Sequence, residues 1–133
     1  MLLLSLAMAT ALRVALTALT IDVTVDGRGT AGHDGTAGVR GTMTCSVETL
    51  VTFEGQVVES VGRSAVAAGS FATEVLCGTT PTPWAVTVTS DSGVPFKPGF
   101  ALADIQAVGF DPETGTFVGV QSLASLHLTR SVR

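Results

Sequence analysis

The chain has 133 residues, of which 46% are hydrophobic and 14% charged, with a net charge of −4 at pH 7; that length holds one domain with one core. It has no run of Lys or Arg, and Lys97 is its sole lysine. Binding a phosphate backbone needs a basic face, so nucleic acid is excluded as a partner.

The first eighteen residues stand apart. Leu2 to Leu12 is apolar except for Ser5 and Thr10, and holds the small-x-small sites Ala7-Met8-Ala9 and Ala9-Thr10-Ala11. These are the apolar region and cleavage site of a secretory signal. Residues 1–18 are therefore expected to be a signal segment, and 19–133 the single β domain that it exports. No Lys or Arg precedes the apolar run, which points to a start further upstream. Two other readings stay open: an element kept in the domain, or a membrane anchor with Arg13 at mid-span. The expectation is a secreted, extracellular protein without a stable membrane span.

From Leu19 the pattern is that of strands. Leu19, Ile21, Val23 and Val25 alternate with Thr20, Asp22, Thr24 and Asp26, a period of two that gives one buried and one wet face. Asp26-Gly27 and His33-Asp34-Gly35 are turn signals, with a short strand at Arg28–Ala31 between them. Thr36 to Ser46 alternates again and ends on Cys45. Val47 to Ser60 reads as a strand with a bend at Gly55. Val61 to Ser70 is small and weakly patterned, so a loop or short edge strand is expected. Ser70 to Cys77 alternates. Gly78 to Pro83 reads as a loop, because its two prolines remove ladder donors. Trp84, Val86 and Val88 mark the next strand, and Ser90 to Gly99 a loop. In Phe100 to Phe110 both parities are apolar; the Ala101, Ala103, Ile105, Ala107 face is favoured as the buried one, with the choice open. Asp111 to Gly115 is a hairpin turn. Thr116 to Thr129 supplies the last strand or two, with His127 facing water. About seven to nine short strands without a helical stripe describe an all-β, antiparallel, immunoglobulin-like sandwich or Greek-key barrel.

Cys45 and Cys77 each close an alternating strand in a chain expected to be exported, which favours a disulfide between them. No second Cys or His stands near either at ligand spacing, so no metal and no cofactor is expected.

Gly41-Thr-Met-Thr-Cys45, Gln56, Val75-Leu-Cys-Gly78, Trp84 and Phe96-Lys-Pro-Gly-Phe-Ala101 resemble a family of small exported domains of unknown function from GC-rich Gram-positive bacteria. The likeness runs from about Leu19 to Leu128. It implies a secreted β-sandwich with one bridge, and it brings no catalytic residues with it.

Candidate chemistry is sparse. Asp22, Asp26, His33 and Asp34 gather near one strand end, and Asp111 and Glu113 flank a proline; solvated turn carboxylates explain both groups better than a calcium site, which needs six or more oxygens. Glu48, Glu54, Glu59 and Glu74 could pair across strands, but glycoside hydrolysis needs a cleft, and the sequence has no aromatic strip to bind a sugar. No G-x-S-x-G, P-loop or G-x-G-x-x-G motif is present. The expected function is therefore a non-enzymatic structural or binding domain with an unknown extracellular partner. The alternative is a module that binds carbohydrate or another small ligand through Trp84, Phe96 and Phe100.

Overall fold

The computed structural model describes residues 18–131. The signal reading of residues 1–18 thus falls almost wholly outside the described residues. Within them, period-two alternation becomes eight strands: β1 (Ile21–Val25), β2 (Arg28–Ala31), β3 (Ala37–Cys45), β4 (Thr49–Val61), β5 (Ala65–Cys77), β6 (Thr82–Val88), β7 (Gly99–Asp111) and β8 (Thr116–Arg130). No helix among the described residues is long and apolar enough to cross a membrane.

All pairings are antiparallel except β2 with β8. Strand β3 carries β6 on one edge, and β1 and β2 in succession on the other. β2 then lies beside β8, and the order continues β8-β7-β4-β5. The sheet folds over so that β1, β3 and β6 form one layer and β5, β4, β7 and β8 the other, with β2 passing between them. β5 ends the path, β6 branches from β3, and the two do not pair with each other, so the sheet is not closed. The open sheet fits a sandwich better than a closed barrel.

Two expectations need correction. Of the loop or short edge strand expected after Val61, the edge strand is what forms, but it is long: β4 and β5 are thirteen residues each and pair along their whole length, from Thr49↔Cys77 to Val61↔Ala65. A long partner supplies the order that a run of Ala, Gly and Ser does not. Pro83 is not in a loop either. It lies within β6, opposite Thr42, where an edge strand tolerates a missing donor.

The core fills the space between the layers. Phe53 is fully buried, with its ring 4.7 Å from Trp84 and 5.6 Å from Phe71. Trp84 Nε1–H donates to Thr42 O at 3.1 Å, so the indole's polar atom is satisfied inside. Gly41 makes this packing possible: a Cβ there would run into Thr24 O and stand 2.8 Å from the Trp84 ring. On β7 the Ala101, Ala103, Ile105, Ala107 face is indeed the buried one. The Cys45–Cys77 disulfide, with Cα atoms 5.7 Å apart, ties β3 of one layer to β5 of the other.

Asp111, 1% exposed, closes the core beside the β7–β8 turn. Its Oδ2 accepts from Leu19 N–H (2.9 Å) and its Oδ1 from Glu113 N–H (3.0 Å). The Leu19 bond above all holds its carboxyl below the ordinary value. A depressed folded-state pKa stabilises the fold above the unfolded value, and that share is lost as pH falls through the folded one. Thermal midpoints should therefore fall as pH drops below about 4, the ordinary Asp value. Asp111→Asn should lower the midpoint at neutral pH and shrink the acid drop. An unchanged acid drop in that variant would remove Asp111 from the account.

Candidate interaction face

The solvent side of the β5-β4-β7-β8 layer is built from every second residue of each strand. Register places these residues in rows across the layer. At one end Leu76, Leu50, Phe110 and Phe117 lie side by side, 42% to 73% exposed; the Phe110 and Phe117 rings meet at 5.3 Å. At the other end stand Val66, Leu102 and Phe100. Val108 and Leu123 complete the set. Every exposed large hydrophobic among the described residues lies on this one face. Scattered exposed apolar residues are ordinary on a protein surface, but their confinement to one face marks it for interaction.

Between the two apolar ends runs a polar waist. Glu54 pairs with Gln106 and Gln56 with Asp104 across β4 and β7, while Gln121 Nε2 donates to Asp104 Oδ1 at 2.9 Å. Glu54, Gln56, Ser70, Asp104 and Gln106 line a shallow concavity of about 440 Å³. With Glu74 the waist presents three carboxylates and no Lys or Arg. Its groups accept and donate hydrogen bonds to water, and no wall excludes solvent from them.

The three residues expected to bind a ligand do not form a face. Trp84 and Phe96 are 6% and 2% exposed and belong to the core, Phe96 with its N–H bonded to Gly35 O at 2.9 Å. Both are bulky apolar groups that the space between the layers takes in. Only Phe100, 64% exposed, reaches solvent, opposite His127. Composition around the Trp could not separate these fates, because each of the three sits next to a loop.

Apart from Glu54 and Glu74 in the waist, the carboxylates singled out in the sequence are dispersed. Asp34 is occupied by its own turn: it accepts from Thr36 Oγ1 at 2.7 Å and from Thr36 N–H at 3.2 Å, and the hydroxyl bond first of all lowers its pKa. Asp26 pairs with Arg40 at 3.1 Å on the surface. Glu59 is 3% exposed and accepts from Lys97 N–H at 2.9 Å. No group of three or more His, Cys, Asp or Glu among the described residues is placed to hold a metal. Sequence reading missed the apolar face. The signal was there in Leu50, Leu76 and Phe117, which sit at polar parity in alternating runs.

A comparison with protein-family models finds no match, and a comparison with curated proteins finds none.

Proposed function

We propose that this chain is a secreted, non-enzymatic β-sandwich domain, of the kind of small exported two-cysteine domains that its motifs resemble, and that it docks an extracellular partner on the outer face of its four-stranded layer. The observation that carries this is the confinement of all large exposed hydrophobics to that face. The bridge and the absence of a spanning helix among the described residues are compatible with an extracellular domain. A matching partner surface has apolar groups at its two ends and basic or hydroxyl-bearing groups between them, to meet Glu54, Glu74 and Asp104. Acid–base catalysis calls for a water-excluding site, and the open waist favours binding instead.

Two measurements test this. Intact mass of the exported protein should lack about the first 11 to 18 residues and, without reductant, two hydrogens. A full-length mass with two alkylatable thiols overturns export. For docking, the native chain and the Leu50→Ser/Phe110→Ser variant are immobilised and exposed to the extracellular fraction of the producing cells. The native chain should retain a stoichiometric component that the variant loses, with both equally stable. Equal retention by the two rejects the face.

The concavity favours a second reading, a polyhydroxylated ligand such as an oligosaccharide held by Glu54, Gln56, Ser70, Asp104 and Gln106. Calorimetric titration with neutral oligosaccharides should then give a heat that Asp104→Ala and Gln106→Ala abolish; no heat with any of them ends that reading.

A further inference from the structure

Strand β8 has one paired edge and one open edge. Its register with β7 runs without a slip from Thr116 to Leu128, so its backbone groups alternate strictly between the two edges. His127 N–H donates to Gly27 O at 2.9 Å and Ser131 N–H to Ala31 O at 3.0 Å, both away from β7. Odd-numbered residues of β8 therefore turn their N–H and C=O groups to the open side. β2 covers that side only at His127 to Arg130. Phe117, Gly119, Gln121, Leu123 and Ser125 have no strand hydrogen-bonded to them on that side among the described residues; β1 passes near β8 without pairing to it.

Open edges are commonly guarded by charge, proline or a bulge. The other outer strands of this sandwich are. β1 carries Asp22, β6 carries Pro83, and β5 carries Glu74 and is capped by Asp91 N–H on Ala68 O and Ser92 Oγ on Val66 O. β8 has no Lys, Arg, Asp, Glu or Pro from Thr116 to Thr129. Instead it holds Phe117 and Leu123, at 73% and 72% the two most exposed large hydrophobics among the described residues, six residues apart on one face.

We infer that two copies of this chain pair antiparallel through their β8 edges about a two-fold axis at Val120. In this register Phe117 of each copy faces Leu123 of the other, and Gly119 faces Gln121. All four are residues whose backbone groups point outward, so each pair exchanges both N–H···O bonds. The two largest exposed side chains of one copy cover those of the second, as cross-strand apolar pairs do. The like-charged waists stay apart, two strands back from the axis. Stacking the layers face to face would instead set Glu54, Glu74 and Asp104 against their own copies. The nine residues Thr116–Ala124 pair over about 30 Å, and at about 15 Å depth bury about 900 Å² over both copies, in the range of weak, transient contacts, which gives a weak, reversible dimer. This pairing does not rest on the docking reading: it takes Phe117 and Leu123 from that face, with Phe110 beside Phe117, and leaves Leu50, Leu76 and the waist open.

The test is sedimentation velocity of the full chain from about 1 to about 500 μM, a range that spans dissociation constants typical of such areas. A reversible monomer–dimer equilibrium is expected. Phe117→Lys and Leu123→Glu should each raise Kd by about tenfold or more, a change of about 1.4 kcal/mol. Their thermal unfolding should match the native chain. Mixed in equal amounts, the two variants should regain the dimer. The introduced lysine of one then meets the introduced glutamate of the other, while the symmetry-related pair keeps its native Phe117 and Leu123. Leu50→Lys should leave Kd unchanged. A chain that stays monomeric throughout overturns the pairing. So does a dimer indifferent to Phe117 and Leu123, or a mixture no tighter than its components. Loss of partner retention in Leu50→Ser/Phe110→Ser with the dimer intact speaks to the docking face alone.

Discussion

Replacing Cys45 and Cys77 together by Ala is expected to lower the unfolding free energy by about 3–4 kcal/mol, following the chain-entropy model of a cross-link for a sequence separation of 32 residues. Stabilities of domains this size are about 5–15 kcal/mol, so the loss is a large share of the whole. The bridge joins strands that share no ladder: β3 lies in one layer and β5 at the far edge of the other. Without it, the β4–β5 hairpin is held to the first layer by side-chain packing and a few hydrogen bonds at its rim, among them Cys45 N–H to Gly78 O at 2.7 Å. Both sulfurs are also buried, so their removal opens space in the core. Denaturant unfolding followed by the fluorescence of Trp84, the only Trp, measures the change. A loss under about 1 kcal/mol would show that the packed layers, and not the cross-link, keep β5 in place.

Phe53→Ala is expected to cost about 3–5 kcal/mol, the range for deleting a buried aromatic side chain. Phe53 is fully buried between Phe71 and Trp84, and it is the contact through which the two layers share their aromatic centre. The bridge between β3 and β5 limits how far the layers can close on the gap. Trp84 loses its nearest ring, so its emission should shift as well. Phe117→Ala is the control: at 73% exposure its removal should change stability by less than about 0.5 kcal/mol. Comparable losses for the two would mean that the inner and outer faces have been assigned the wrong way round.

Much of this fold is legible in the order of residues alone. Alternation at Leu19–Asp26, Thr36–Ser46 and Ser70–Cys77 reports strand and face together, because side chains in an extended chain point to opposite sides in turn. The two cysteines, each closing such a run, report which strand ends meet. The hairpin at Asp111–Gly115 is legible for a local reason: the turn needs a residue at positive φ, and Gly115 takes it at 72°. The length of β5 is not legible, since Ala, Gly and Ser carry little strand preference of their own and its order comes from pairing with β4.

The candidate site divides in the same way. Composition and alternation determined that the chain is all-β, that Cys45 and Cys77 are joined, and that His127 faces water, because each follows from periodicity or from local covalent chemistry. They did not determine where Trp84, Phe96, Phe100 and Phe117 go. An aromatic ring gains from burial wherever space exists, and the space belongs to the assembly. The gap beside Gly41 receives Trp84, the small Ala face of β7 turns inward to let Phe53 fill the centre, and Phe100, Phe110 and Phe117 are left outside on the opposite parity. Only the tertiary structure decided that the apolar surplus gathers on one face, and that β8 keeps an uncovered edge beside it. Both depend on which strands lie next to one another, and strand adjacency is a long-range property that no local pattern encodes.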